Sequence, residues 1–270
     1  MQGNNSLPEL KQLKAMVVTA AEQYLLPYFG QTTRHYKGDG SIVTQADHAI
    51  QDALVKALSE QWPEIPVLGE EMTPKQQQRL LDESRDGLWI MDPLDGTSNF
   101  AAGIPCFSVS IALLYEGEIQ LGLIYDPLRK ECFSAIRGKG AYLNGEPLQP
   151  GNTELPLKKC MAQIDFKRLP TQLAVRLVSD MPYSSQRSFG SSVLDWCWLA
   201  MGRVQIYLHG QQKLWDVAAG QLILAEAGGH ALTLEGERVF QTTLETRSVI
   251  AAAGNRQFEA WRSIVMGSIS

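Results

Sequence analysis

The 270-residue chain has few cysteines, four in all. Cys106, Cys132, Cys160 and Cys197 lie far apart and form no C-x-x-C pair, which excludes a zinc ribbon, a dithiol redox motif and a disulfide scaffold. Positive charge is not in excess either. The formal net charge is −5 and no basic stripe runs along the chain, which argues against a nucleic-acid-coating role. The densest positive cluster, Lys158, Lys159, Lys167 and Arg168, reads as a solvated face. Long apolar runs are missing: Phe107 to Tyr115 falls well short of the roughly 20 residues that span a bilayer. The N-terminus shows no basic region followed by an apolar core, so a reduced, cytoplasmic protein that does not engage a membrane is expected. Gly138-Lys139-Gly140 lacks Walker spacing, and no G-x-G-x-x-G follows a strand pattern, which argues against nucleotide and dinucleotide loops. His35, His48 and His230 are scattered and form no metal triad.

What is present is an ordinary hydrophobic fraction of 44%, enough for one large unit or two lobes sharing a cleft. Leu7 to Phe29 carries Leu10, Leu13, Met16, Val17 and Ala20 at helical spacing, and a glycine-containing loop follows from Lys37 to Ser41. Thr44 opens a second helix with Ala46, Ile50, Leu54 and Leu58 on one face. From Val67 to about Leu143 short apolar runs alternate with turns and read as strands, with hairpins at Glu116-Gly117 and Asp126-Pro127. Pro147, Pro150, Gly151 and Pro156 mark a lobe boundary. The expected division is an α+β lobe over residues 1–150 and an α/β lobe over residues 151–270, acting as one compact unit. In the second lobe, helices over Thr171 to Val178, Val193 to Met201 and Val217 to Ala227 alternate with strands over Val204 to Leu208 and Arg247 to Ala252. Trp196 and Trp198, with Leu194 and Leu199, read as core or subunit-interface packing.

The chemistry is carried by acids. An apolar strand runs into Asp92, Pro93 is expected to turn the chain, and Asp95 follows, so two carboxylates and the Leu94 carbonyl can converge. Gly96 and Thr97 place backbone N–H groups at a possible helix start, a natural seat for phosphate. Oxygen donors without His or Cys suit Mg²⁺ or Mn²⁺ rather than zinc. The same residues also fit a turn that merely caps a helix. Val67-Leu68-Gly69-Glu70-Glu71 ends a second short strand in carboxylates, or is a charged loop. Leu214-Trp215-Asp216 puts an acid at the start of a helix, where the dipole alone would favour it. Thr44 and Asp47 have capping-box spacing.

Taken together these segments resemble the inositol monophosphatase family. Asp92 to Phe100 is similar to its D-P-[IL]-D-G-T-x-N-F signature, and Trp215 to Gly220 to its W-D-x-A-A-G signature, followed by Glu226 to Gly229. Val43 to Asp47, Gly69 to Glu71, Tyr125 to Pro127 and Arg137 to Gly145 match in order and spacing, so the likeness runs from about Lys37 to Asn255.

The resemblance implies a layered αβαβα sandwich of the inositol monophosphatase/fructose bisphosphatase type. It implies Mg²⁺-dependent, Li⁺-sensitive hydrolysis of a small phosphate monoester by an activated water, in a homodimer. By the same likeness Glu70, Asp92 and the Leu94 carbonyl hold one Mg²⁺, and Asp92, Asp95 and Asp216 a second. A third ion is expected near Glu70, and Mn²⁺ is a possible substitute. Thr97, paired with Asp47, would position the water, and the Gly96 and Thr97 amides would grip phosphate. Glu70 and Asp47 thereby support catalysis. Ser192 and His209 fall where the family faces its substrate. His209, seven residues before Asp216, stands where inositol-specific members carry a Glu, so the alcohol is left open. A ring pointing to solvent, with Gln211 or Lys213 reading the substrate, is the alternative. Histidinol phosphate, a sugar phosphate or a 3′-phosphoadenosine nucleotide remain candidate substrates. A non-catalytic, metal-binding regulatory dimer is the reading from another class.

Overall fold

The computed structural model describes residues 7–36, 38, 42–151 and 153–267. Of the loop read from Lys37 to Ser41, all but Gly38 lies outside the described residues. The chain opens with α1 (Leu10–Tyr24), a two-stranded ribbon of β1 (His35–Tyr36) and β2 (Ile42–Val43), and α2 (Gln45–Gln61). There follow β3 (Val67–Gly69), α3 (Pro74–Asp82), β4 (Leu88–Asp95), α4 (Thr97–Ala102), β5 (Ser108–Tyr115), β6 (Glu118–Asp126), β7 (Glu131–Ile136), β8 (Ala141–Leu143) and β9 (Glu146–Pro147). The remainder comprises β10 (Met161–Asp165), α5 (Thr171–Ser179), β11 (Ser185–Arg187), α6 (Ser192–Ala200), β12 (Ile206–Gln212) and α7 (Leu214–Glu226). It ends with β13 (His230–Leu232), β14 (Arg247–Ala252) and α8 (Asn255–Met266).

Two sheets result. One has seven strands in the order β3-β4-β5-β6-β7-β8-β9, the other five in the order β11-β10-β12-β14-β13. Alternation along the strands assigns their faces. Trp89, Met91, Ile111 and Leu123 point to a core shared with Leu13 and Val17 of α1 and Ile50 and Leu54 of α2. Leu88, Ile90, Ala112 and Ile124 point the other way, into a core with α6 and α7 that also holds Tyr207, Val249 and Ala251 of the second sheet. Ile164, Ile206, Leu208 and Ile250 face outward onto Leu173 and Leu177 of α5 and Phe258 and Trp261 of α8. Five layers, αβαβα, follow from these three cores. Being sandwiched between sheets, α6 and α7 are apolar nearly all round. Trp196 and Trp198 belong to this central core, as expected. Small residues along α7 admit the indole: a side chain at Gly220 would fall 2.5 Å from Trp196.

Several boundaries differ from expectation for identifiable reasons. The first helix stops at Tyr24, and a short 3₁₀ turn, Leu26–Tyr28, takes over with Pro27 in its first turn. The chain does not turn at Pro93. Strand β4 continues to Asp95, with Asp92 opposite Ser110 and Asp95 opposite Ser108, so one extra residue is accommodated on β4. Proline has no N–H to give the ladder, and such a bulge is where the sheet tolerates it. Helix α7 begins at Leu214 rather than Val217, because the Asp216 carboxylate accepts the Lys213 N–H at 2.9 Å and starts the helix one turn earlier. The Glu116-Gly117 hairpin is as read, a two-residue turn with both residues left-handed. The Gly138 and Gly140 N–H groups donate to the Glu226 carboxylate at 2.7 and 2.8 Å, so that glycine turn holds an anion supplied by the chain itself.

Candidate functional site

The site grows from the C-terminal end of β4. Parallel pairing sets Gly69 of β3 beside Met91, and the Glu70 N–H donates to the Met91 carbonyl at 3.2 Å, which brings Glu70 alongside Asp92. The Asp92 carboxylate accepts the Leu94 N–H at 3.0 Å across the bulge. Asp95 is caught by the start of α6: it accepts from the hydroxyl of Ser191, from Ser192 Oγ at 3.2 Å and from the Val193 N–H at 3.0 Å. Asp216 enters from the first turn of α7. Carboxylate oxygens of Asp92, Asp95 and Asp216 lie within 4.8 Å of one another.

Two buried acids and a half-buried third at this separation resist ionising together unaided. Burial raises Asp92 well above the carboxylate range, and the charges of Glu70, Asp95 and Asp216 add to it. Burial lifts Asp95 to about 6, against the pull of Ser191, Val193 and Ser192. Burial, with Asp95 and Glu70, lifts Asp216 to about 7. Nearby positive charge is limited: Lys213 Nζ stands 3.6 Å from Glu70 Oε1 and 5.2 Å above the Trp215 ring. Three carboxylates with no imidazole or thiolate among them form an oxygen-only donor group that fits a hard divalent cation.

Beside this cluster, the Thr97 hydroxyl lies 2.9 Å from Asp47 Oδ1 and 3.0 Å from the Leu94 carbonyl oxygen. The other Asp47 oxygen accepts the N–H and hydroxyl of Thr44, both at 2.7 Å, closing the capping box of α2. The two readings of Asp47 are therefore not rivals, since one oxygen caps the helix and the other reaches Thr97. Burial holds the Asp47 carboxyl above its ordinary value, with the Thr44 hydrogen bonds opposing. Gly96 joins β4 to α4 at φ 86, where a side chain would fall 2.8 Å from the Cys106 carbonyl oxygen. Only glycine allows the Gly96 and Thr97 amides to follow the carboxylates so closely.

The substrate-facing residues are placed less simply. Ser192 Oγ lies on the Asp95 carboxylate. His209 is 3% exposed, so the solvent-facing alternative is overturned. Its Nδ1 accepts the Gln211 N–H at 3.2 Å, which leaves the proton on Nε2, 3.3 Å from Asp165 Oδ2. Burial holds the imidazole below its ordinary pKa, so it is neutral near pH 7.

Asp165 escaped the sequence reading, as did the partners that Ser191 and Asn99 hold. Asn99 Nδ2 donates to the Phe189 carbonyl at 2.6 Å and to the Cys106 carbonyl at 2.9 Å, tying α4 to the loop that delivers Ser191. A serine before an apolar helical run is a visible cap signal, but that it would hold Asp95, distant in sequence, was not visible.

The family model described as "Inositol monophosphatase family" matches residues 8–265, nearly the whole chain. A five-layered αβαβα protein with a carboxylate cluster at the strand end is the class this structure defines, and the chain belongs to the inositol monophosphatase family. Inositol monophosphatase 1 of Solanum lycopersicum is 34% identical over 237 residues, 85% of this chain and 86% of that protein. Nus factor SuhB of Pasteurella multocida is 36% identical over 219 residues, 79% of each. Among solved structures, the IMPase of Thermotoga maritima superposes with a TM-score of 0.83 at 26% identity, covering 96% of this chain and 97% of that one. The inositol monophosphate-bound SaIMPase-II gives 0.79 at 26%, covering 95% and 93%.

Proposed function

We propose that the protein hydrolyses a small phosphate monoester in a Mg²⁺-dependent reaction, releasing inorganic phosphate and an alcohol. The observation that carries this reading is the convergence of Asp92, Asp95 and Asp216 beside the Thr97–Asp47 pair. Glu70, Asp92 and the Leu94 carbonyl would hold one Mg²⁺, and Asp92, Asp95 and Asp216 another. A third ion would sit near Glu70, and Mn²⁺ is a substitute of the same donor preference. When bound, such ions lower the pKa of water and offset charge on the phosphoryl group. The chain's own part is positional. Thr97 accepts a hydrogen bond from the attacking water while its own proton goes to Asp47, so the water's lone pair is aimed at phosphorus. The Gly96 and Thr97 amides donate to the phosphate oxygens. Residues 1–150 would supply most ligands, and residues 151–270 Asp216 and the Ser192 loop. A homodimer is part of this reading.

Phosphate release from a panel of monoesters, with and without excess EDTA, tests the proposal; activity that persists in EDTA sinks it. Several relatives are named Nus factor, so a role in binding a macromolecular partner is the second reading. Absence of Mg²⁺-dependent release from every monoester would favour it.

The raised carboxyls predict how stability changes with pH. Asp95 and Asp216 hold protons more tightly folded than unfolded, so the folded state is the more protonated between the ordinary value of 3.8 and about 7. The stability they contribute is complete at acid pH and is lost as pH rises through about 6 and about 7. Melting of the metal-free protein is expected to move down between about pH 4 and pH 7, and added Mg²⁺ to raise Tm more at the upper end. A Mg²⁺-induced shift that does not grow with pH would contradict the assigned ligands.

Li⁺ is expected to inhibit by taking a Mg²⁺ position after hydrolysis and delaying phosphate release. The pattern should be uncompetitive with substrate; purely competitive inhibition, or none at high millimolar Li⁺, counts against it.

A further inference from the structure

Two glutamines from different helices converge on the backbone that carries Glu70. Strand β3 lies at the edge of the seven-stranded sheet, so the segment Gly69–Glu71 at its end has a strand on one side only. The open side is filled by side chains. Gln77 of α3 donates through Nε2 to the Gly69 carbonyl at 3.0 Å and to the Glu70 carbonyl at 3.1 Å. Gln51 of α2 accepts the Glu71 N–H on Oε1 at 3.0 Å. With the Glu70 N–H on the Met91 carbonyl, four successive backbone groups are held, from the Gly69 carbonyl to the Glu71 N–H.

Both glutamines are buried, Gln51 at 7% exposure and Gln77 at 5%. A buried amide is costly unless it is hydrogen-bonded, and both are bonded to this one segment. Gly69 leaves the way open: a side chain there would fall 2.3 Å from Gln51 Oε1 and push it off the Glu71 N–H. Helix α3 is built to deliver Gln77. It starts itself, with Pro74 in its first turn and a capping box between Thr73 and Gln76. Of its nine residues only Gln77 and Leu81 are buried. Leu81 seats the helix in the central core, and Gln77 is what it presents to the Glu70 segment.

Contacts tie this segment to the carboxylate cluster. The Glu70 carboxylate stands 3.6 Å from Lys213 Nζ, and the Lys213 N–H is held by Asp216 at 2.9 Å. Pairing of β3 with β4 sets Glu70 alongside Asp92 from the other side. Fastening by neutral amides has a consequence for charge. A lysine in place of Gln77 would neutralise the acids, and a carboxylate would add to their repulsion. Amides fix the backbone and leave the net charge of the cluster as it is.

We infer that Gln77 and Gln51 are positioning residues for Glu70, holding its backbone from α3 and α2 so that its carboxylate is aimed at the cation it shares with Asp92. This rests on the Mg²⁺ reading above. Neither glutamine is a ligand to the cation or a contact to the substrate; both act through Glu70.

Calorimetric titration of the full chain with Mg²⁺, beside melting curves, tests the assignment without recourse to turnover. Gln77→Met keeps the length of the side chain and removes both donors. Mg²⁺ affinity should then fall about ten- to a hundredfold, the scale of a lost outer-shell partner. Exchange of Gln for Glu separates the two positions, because a carboxylate accepts but does not donate. Gln77→Glu should lose affinity as Gln77→Met does, since N–H groups are used there. Gln51→Glu should keep wild-type affinity, since only its oxygen is used, whereas Gln51→Met should not. In a Glu70→Gln background, Gln77→Met should cost no further affinity, because its whole effect passes through Glu70. A glutamine that served packing alone would lower Tm and add its loss to that of Glu70→Gln. Wild-type affinity in Gln77→Met, equal behaviour of the two Gln-to-Glu variants, or additive losses overturn the inference and leave the Mg²⁺ reading standing. If Gln77→Met fails to fold, Gln51→Met against Gln51→Glu decides by the same comparison, and equal affinities overturn the inference. A wild-type chain that binds no Mg²⁺ overturns the Mg²⁺ reading first, and this inference with it.

Discussion

Asp92→Asn is expected to abolish turnover at saturating substrate and yet to leave the metal-free protein as stable as before, or more so. The two effects have one cause. Asp92 is almost fully buried and meets the charges of Glu70, Asp95 and Asp216, so its ionised form is costly until cations arrive. Asparagine keeps the oxygen that accepts the Leu94 N–H and removes the charge. Repulsion among the remaining acids falls, and the folded state gains. Cation affinity falls with it. Altering an outer-shell partner of a metal ligand already costs about 10- to 100-fold in affinity, and loss of a shared carboxylate ligand should exceed that. Calorimetric Mg²⁺ titration and melting curves with and without Mg²⁺ read the two arms separately. If Asp92 were only a structural acid in a bulged strand, the variant would melt lower in both conditions and retain its turnover. That outcome would end the metal assignment.

Thr97→Ala is expected to lower kcat by about two to four orders of magnitude, the scale of a positioned proton-transfer partner, with a much smaller change in KM. The hydroxyl is poised between Asp47 Oδ1 and the Leu94 carbonyl, and alanine leaves neither contact a replacement. Asp47→Asn gives the second half of the argument. If the pair acts as a unit, the double variant should be scarcely slower than either single one, because each alone already breaks the relay. Asp47→Ala, which removes both acceptor oxygens, should also lower Tm, since the same carboxylate closes the box with Thr44. Losing such a cap costs about 1 kcal/mol. Thr97→Ala does not touch that cap and should leave Tm nearly unchanged. A loss confined to KM would assign Thr97 to phosphate binding alone, and additive losses would separate it from Asp47.

Much of the architecture could be read from periodicity and punctuation. The α2 start at Thr44, the Glu116-Gly117 hairpin and the strands of the first sheet rest on near-neighbour chemistry: capping oxygens, left-handed turn residues and side chains that alternate along a strand. Asp92, Asp95 and Thr97 were legible for the same reason, because a few consecutive residues carry their pattern. So was the family likeness, which is a matter of order and spacing. Where local rules competed, reading along the chain failed. Pro93 looked like a turn, but β5 offered a ladder that a bulge could keep. Asp216 looked like the residue before a helix, but its own carboxylate recruited the preceding turn.

What only the tertiary structure decided are the pairings between residues far apart in sequence. Ser191 and Val193 hold Asp95, Lys213 stands by Glu70, and Asp165 meets His209 across two strands. His209 read alone offered two fates, a substrate contact or solvent. The register of β10 against β12 produced a third, a buried ring whose proton faces a carboxylate. No signal along the chain links these residues, because each pairing depends on which strands become neighbours and on the close approach that Gly210 permits. The sequence by itself determined which acids and amides were available and that this chain belongs with the inositol monophosphatases. The charge around them was decided by the packing of β10, β12 and α6, because burial and through-space neighbours, not order in the chain, set the field at each carboxylate.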